Sequence, residues 1–339
     1  MIDKEAINKR ALQLVDKGGI TLGATLAQEF GISRQSASTY IRKLVESGLL
    51  TAEGATKNKR YHFVDLQKAS RIYPREGLRE DIVWRELCAP IVLDLQDNVR
   101  SIWQYGITEM VNNAIDHSGS PDVLVDIRRN ALYTTALISD SGEGIFLKIQ
   151  RALNLYDPRE AILELAKGKL TTDPDHHTGE GIFFSSKMFD AFDIRSGALH
   201  FMHDDGLDDM LVERPKDSPG TLVIMRLNND SQRIDQEVFD HFAEPDEYTF
   251  AKTIVPVRLA QYEGEKLVSR SQAKRLTLRI ERFQTVVFDF DGVAEIGQAF
   301  ADEVFRVFKT AHPGTKLIPI KMTEAVENMV KRATSSTAA

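Results

Sequence analysis

The sequence predicts a multidomain protein in three parts: a mainly helical N-terminal unit closed by a β-hairpin, a larger α/β body, and a small α/β C-terminal unit. Three observations predict it. The 339 residues are more than one small core organises and correspond to about two to three domains. The charge is uneven, because residues 1–64 carry ten Lys or Arg against six acids although the whole chain is net −7, as for a nucleic-acid-facing module on an acidic body. The hydrophobic spacing also changes along the chain, from helical between a joint near 65–80 and about residue 118 to alternating strands and helices after it. With 42% hydrophobic and 27% charged residues, wholesale disorder and collagen-like structure are excluded. No apolar stretch is long enough to span a bilayer, and MIDKEAINKR lacks the apolar core of a secretion signal, so a cytoplasmic protein without membrane contact is expected. The lone cysteine, Cys88, excludes an intrachain disulfide and a cysteine-based zinc site, and is read as a buried thiol.

The first helix, over 3–16, places Ile7, Ala11, Leu14 and Val15 at helical spacing and is stopped by Gly18 and Gly19. A second carries Leu22, Leu26 and Phe30 and ends at Gly31. Ser33 caps a third, whose apolar stripe of Ala37, Tyr40, Ile41, Leu44 and Val45 leaves Arg34, Gln35, Ser36, Ser38, Thr39, Arg42 and Lys43 polar. Gly48 ends it, and TAEGATKNKRYHFV reads as two strands around a basic turn of Lys57, Asn58, Lys59 and Arg60. The run SRQSASTYIRKLVESGLL followed by such a hairpin resembles the winged helix-turn-helix family of bacterial regulators over residues 1–64. The resemblance implies that the third helix enters the major groove of duplex DNA with Arg34, Gln35, Ser38 and Arg42, and that the wing contacts the backbone with Lys57, Lys59 and Arg60. The alternative is the same fold used for protein contacts, its charges merely solvated.

After a joint near 65–80, the most informative helix is QYGITEMVNNAIDHS. At 100° per residue Ile107, Met110, Val111 and Ala114 face the core, while Glu109, Asn112, Asn113 and Asp116 gather opposite them with no Lys or Arg among them. Such a face offers oxygen ligands to a divalent cation and a carboxylate that could orient water. Two strands, PDVLVDIRR and LYTTALIS, lead to Asp140, Gly142 and Gly144, where glycines let the backbone approach a planar ligand and a carboxylate can accept an amino hydrogen. A helix, DPREAILELAKGKL, a polar loop and the turn HTGEGIFF follow, the last presenting backbone N–H groups to phosphate oxygens. A late strand then begins at Gly220 and Thr221.

The order E-x-x-x-N-A-x-x-H, D-x-G-x-G, T-G-x-G-I and G-T resembles the GHKL ATPase family, which includes gyrase, MutL, the heat-shock chaperones and the histidine and anti-sigma-factor kinases. The resemblance covers 80–245 and implies an α+β two-layer sandwich, the Bergerat fold, binding ATP and Mg²⁺. By that resemblance Asn113, with Asn112 as second candidate, holds Mg²⁺, and Glu109 orients or deprotonates the attacking water. Asp140 accepts from the adenine amino group, Gly142 and Gly144 shape the adenine pocket, Thr221 supports it through water, and Gly179 and Gly181 hold phosphates. The segment 155–177 is expected to be a mobile lid. His117 and His177 are read as hydrogen-bonding or capping residues and His176 as solvated.

A histidine kinase needs a phosphoacceptor in a pattern such as H-E-x-x-x-P, which none of the eight histidines provides, so autophosphorylation on histidine is not expected. The stretch 246–275 reads as a linker with a basic helix, SRSQAKRL, from which Lys252, Arg270 or Lys274 could reach a terminal phosphate. Over 276–339, a strand (TVVFDF), a helix, a strand (KLIPI) and a helix alternate, and Phe288, Asp289, Phe290, Asp291 and Gly292 before a helix resemble the STAS fold of anti-sigma-factor antagonists. They resemble more closely the STAS-like domain fused behind GHKL ATPases. Where those antagonists carry a phosphorylatable serine, this chain has Gly297, Gln298 and Ala299, so a self-contained kinase and substrate pair is not expected. Phe300, Val304, Phe305 and Phe308 read as core.

The combined expectation is an ATP-binding, slowly hydrolysing regulator that couples nucleotide state to DNA binding, with the STAS-like part open to a protein partner. The alternatives are a Ser/Thr kinase acting in trans and a nucleotide-gated interaction module. A homodimer would add a second DNA half-site, although no dimer seam is legible.

Overall fold

The computed structural model of the chain describes all residues except 1–2, 19–20, 55–58, 171–178, 205–208, 244–249, 262–264 and 336–339. Its N-terminal unit has helices α1 (Lys4–Asp16), α2 (Leu22–Glu29) and α3 (Arg34–Glu46), then an antiparallel hairpin of β1 (Leu50–Glu53) and β2 (Arg60–Phe63). The Asp3 carboxylate caps α1 by accepting the N–H groups of Glu5 and Ala6, and Ser33 Oγ caps α3 by accepting that of Ser36 at 3.0 Å. The helices close on Ile7, Ala11, Leu22, Leu26, Ala37, Ile41 and Leu44, and Leu132 of the body joins this cluster.

The body is a seven-stranded sheet in the order β3-β4-β5-β9-β6-β7-β8, antiparallel at every pairing. Its strands are β3 (Gln67–Pro74), β4 (Asp122–Arg129), β5 (Tyr133–Asp140), β6 (Ala191–Ser196), β7 (Leu199–Asp204), β8 (Met210–Glu213) and β9 (Thr221–Asn228). Burial alternates along β6, and on β4 it does so except that Asp126 is also buried: Val123, Val125 and Ile127 on β4 and Phe192 and Ile194 on β6 are fully buried on the face that helices cover. These helices are α4 (Glu80–Val83), running through a π-helical turn at Trp84–Cys88 into α5 (Ala89–Val92), then α6 (Asp97–His117), α7 (Ile145–Leu153), α8 (Glu160–Lys167), α9 (Gly181–Met188) and α10 (Asp235–Phe242). At Gly106 of α6 a Cβ would overlap the Phe189 ring, and Phe189 meets Trp103 edge to face at 4.8 Å. That close approach brings α6 against α9. Cys88 is fully buried, and burial pushes its thiol up to about 12, as expected of an inert structural cysteine.

The C-terminal unit is a parallel sheet of β10 (Lys252–Pro256), β11 (Thr285–Asp289) and β12 (Lys316–Ile320), with α11 (Arg270–Thr277), α12 (Gln298–Asp302) continuing through a π-helical stretch into α13 (Lys309–Ala311), and α14 (Glu324–Ser335). Phe300, Val304, Phe305 and Phe308 are its core.

Three expectations change. The joint near 65–80 is largely an edge strand, for β3 pairs with β4 along its whole length. Lys68, Ser70 and Arg71 obscure its alternation, a composition that keeps an exposed edge from pairing with other chains. The linker over 246–275 contributes β10, whose five residues pair with β11, and α11, which Ser269 and Gln272 start with a capping box and which buries Ala273 and Leu276. Finally, every residue of α8 from Ala161 onward, inside the expected lid, is buried. No helix among the described residues is long and apolar enough to cross a membrane.

The N-terminal unit does not hang from a free tether. The Phe63 ring meets Tyr133 edge to face at 5.4 Å, Arg226 pairs with Asp16 at 3.2 Å, and Lys9 pairs with Asp230. All three contacts fall on one end of β5 and β9.

Candidate functional site

A cavity of about 290 Å³ opens at the other end of those two strands, between α6, α7 and the turn before α9. The face of α6 that reads as polar in sequence supplies Glu109, Asn112, Asn113 and His117 to its wall, whereas Asp116 is exposed and faces Lys148 instead. The predicted core side of the helix, Ile107, Met110, Val111 and Ala114, is buried.

Asp140 ends β5 at the cavity. Its Oδ1 accepts the N–H of Gly142 at 2.9 Å and of Thr221 at 3.3 Å, which leaves Oδ2 to accept from a ligand. Burial raises the carboxyl's pKa, and the two backbone donors oppose that rise. Gly142 packs against the Ser118 carbonyl oxygen so closely that a Cβ would overlap it. Gly144 adopts φ +93° and starts α7, whose first N–H, from Ile145, goes to Thr221 Oγ1 at 3.0 Å. The Asp140 carboxylate, Gly142, Thr221 and the N–H of Ile145 therefore form one hydrogen-bonded unit that ties the ends of two strands together.

Gly179 and Gly181 flank the other side. Gly179, at φ +73°, lies against the Leu170 backbone and accepts its N–H at 3.0 Å. Gly181 opens α9, and a Cβ there would strike the Glu109 carboxylate. Glu109 thus lies against the N-terminus of α9, where a negative charge meets the positive end of the helix dipole. Tyr105 lies close enough to Glu109 and Glu180 for their charges to add to the effect of burial in raising its phenol pKa, so it stays neutral.

Asn113 Nδ2 is buried in the described structure without a hydrogen-bond partner, on a wall it shares with Glu109 and Asn112. Such an orphaned amide is a group a ligand would satisfy. The described residues contain no cluster of three or more His, Cys, Asp or Glu able to cage a metal. The donor set fits a hard cation that takes one or two protein oxygens and completes its shell from a ligand's phosphates, as Mg²⁺ does.

Sequence reasoning missed Lys148. It lines the cavity, donates to the His117 carbonyl at 2.7 Å, and has its pKa lowered by burial against the pull of Asp116. The signal was present: Ile145, Lys148 and Ile149 are one face of the helix that follows the glycines, and all three line the cavity. Ile138, Leu165, Leu170 and Val223 make the apolar part of the wall. Lys252, Arg270 and Lys274 do not line it, and Lys252 instead donates to the His241 carbonyl at 3.0 Å. His176 and His177 lie outside the described residues.

On the N-terminal unit, Arg34, Gln35, Ser38 and Arg42 are exposed along α3, with Arg42 3.5 Å from Glu46. Lys59 and Arg60 are exposed at the start of β2, the former 5.4 Å from the centre of the Tyr61 ring, and Lys57 lies outside the described residues.

Residues 272–327, from α11 into α14, match the family model of a STAS-like domain of unknown function, DUF4325. No curated protein matches the chain.

Proposed function

We propose that the chain is a regulator that binds Mg²⁺-ATP in the body and couples nucleotide state to duplex DNA binding by a winged helix-turn-helix at residues 1–64, in transcriptional control. The observation that supports it most is convergence. Glu109, Asn113, Asp140, Gly144, Gly179, Gly181 and Thr221, from four separate segments, line one cavity. In this reading Asp140 Oδ2 accepts the exocyclic amino hydrogen of adenine, while Ile138, Ile149 and Val223 cover apolar surface of the base. The phosphates lie toward Gly179 and the backbone N–H groups that open α9. Asn113 supplies an oxygen to Mg²⁺, which would neutralise charge on the phosphates. A phosphate at the start of α9 competes with the Glu109 carboxylate for that N-terminus, so Glu109 turns from capping the helix to orienting or deprotonating water. Hydrolysis in this reading is slow and serves to reset the nucleotide state.

Exposed guanidinium, amide and hydroxyl groups on α3 support the DNA contact. A second reading keeps the same cavity but gives the phosphate to a serine or threonine of a partner. The STAS-like match favours it as a domain suited to protein contacts. Calorimetric titration of the full chain with ATP and Mg²⁺ tests the shared premise, and absence of heat from both ATP and ADP would sink both readings. Transfer of label from γ-labelled ATP to a protein separates the second from the first.

A further inference from the structure

Helix α8 has two neighbours of different kinds. On one side Leu165, and Leu170 just after it, form part of the cavity wall. On the other, α8 is joined to the STAS-like domain by charged groups withdrawn from water. Glu164 and Lys167 are each 1% exposed and Arg279, inside the matched domain, is 9% exposed. The Lys167 ammonium donates to Glu164 Oε1 at 2.5 Å and to the carbonyls of Arg275 and Leu278, both at 2.9 Å. Arg279 donates to Glu164 Oε2 at 3.0 Å and also to the Lys169 carbonyl. Thr253 Oγ1, from β10, closes the set on the Lys167 carbonyl at 2.7 Å.

Two further features make this junction more than packing. Arg279 holds φ +65°, a left-handed conformation that a non-glycine residue keeps only where its surroundings fix it. Lys169 directs its ammonium over the rings of Phe250 and Phe283, 5.5 and 5.1 Å from their centres. A buried, hydrogen-bonded set of this kind tolerates few alternative geometries, because displacing one member leaves a charge buried and uncompensated. A shift of the STAS-like domain therefore moves α8, and with it the cavity wall.

We propose that Arg279 is a positioning residue of the nucleotide site: acting through Glu164 it fixes α8, so that occupancy of the cavity and the state of the STAS-like domain are thermodynamically linked. The inference rests on the nucleotide reading above. Linkage is reciprocal, so a protein engaging the STAS-like domain would change nucleotide affinity by the same factor by which nucleotide changes that protein's affinity.

Hydrogen exchange on the full wild-type chain, with and without Mg²⁺ and a non-hydrolysable ATP analogue, tests this without any substitution. Protection is expected to rise at 109–118 and 140–145, which line the cavity, and also at 275–282, which do not. Calorimetry with the same analogue then compares variants: Arg279→Met is expected to weaken binding at least about 5-fold, within the usual range of such couplings, and Arg279→Lys to recover part of the loss. If Arg279→Met does not fold, Arg279→Lys and the wild-type exchange decide. Protection at the cavity with none gained at 275–282, together with wild-type affinity in the Arg279 variants, would overturn the linkage and leave the nucleotide reading standing. No heat and no protection anywhere would overturn both.

Discussion

Arg226 of β9 donates to Asp16 of α1 at 3.2 Å, and its guanidinium lies 4.9 Å from the centre of the Tyr133 ring. Tyr133 begins β5 and Asp140 ends it, while Thr221 begins β9 beside Asp140. At about 3.3 Å per residue, two adjacent hydrogen-bonded strands thus cross about 23 Å from the cavity to the N-terminal unit. The proposed nucleotide and DNA sites stand at opposite ends of one pair of strands.

Arg226→Ala is therefore expected to weaken communication between the sites more than either site. The ion pair is partly exposed and contributes on the order of 0–1 kcal/mol, so the fold persists. Analogue affinity and DNA affinity, each measured alone, should stay within about 3-fold of wild type, a difference below 1 kcal/mol. The dependence of DNA affinity on nucleotide should shrink, and an unchanged dependence would exclude this route.

Asp140→Asn keeps an oxygen for the N–H groups of Gly142 and Thr221 but replaces Oδ2 with an N–H donor, which in the proposed site would face the amino group of adenine. A hydrogen bond to a charged group contributes about 1.5–3 kcal/mol, so nucleotide affinity should fall about 10- to 100-fold in a calorimetric titration. The same substitution is expected to stabilise the nucleotide-free protein at neutral pH. Because folding raises the Asp140 pKa, the wild type is favoured where this carboxyl is protonated and loses that contribution as pH rises through the raised value. The advantage of the variant should vanish below the ordinary carboxylate range, and thermal unfolding against pH reads the sign.

The glycines of the site should separate by what they face. Gly142→Ala drives a methyl into the Ser118 backbone and is expected to cost about 1–3 kcal/mol of stability along with nucleotide binding. Gly181→Ala meets the Glu109 side chain, which can turn away. That variant should fold with a small change in melting temperature and lose turnover more than binding. Equal unfolding by both would contradict the difference in neighbours.

On the N-terminal unit, Lys59→Ala combined with Arg60→Ala should weaken binding to duplexes of any sequence, and reduce the salt slope by about 0.9 for each phosphate no longer neutralised. Gln35→Ala should instead relax base preference. An N-terminal unit without affinity for duplex DNA at low salt would favour protein contact as its role.

Much of this architecture was legible because its signals are local. The periodicity of Ile107, Met110, Val111 and Ala114 fixes which face of α6 is buried, and the short apolar runs ending at Asp140 and following Thr221 mark two strands. What was not legible depends on distant partners. Lys68 and Arg71 hide the period of β3, whose place is set by pairing with β4. The expected linker carries β10 because its partner lies some thirty residues further on, from Lys252 to Thr285. Glu164 and Lys167 fall within the expected lid, and partners more than a hundred residues away, Arg279 for Glu164 and the carbonyls of Arg275 and Leu278 for Lys167, hold them in the interior. Lys148 escaped for a different reason, since a lone lysine on an amphipathic helix reads as solvated even where, as here, its spacing with Ile145 and Ile149 places it on the cavity-lining face.

Nucleotide-dependent DNA affinity is the central claim, and fluorescence anisotropy of a labelled duplex at fixed low salt tests it most directly. The full chain would be titrated nucleotide-free, with Mg²⁺-ADP, and with Mg²⁺ and a non-hydrolysable ATP analogue. At least one pair of states is expected to differ about 5-fold or more, the lower end of a typical coupling. Identical affinities in all three states, with nucleotide binding verified in the same samples, would contradict the account.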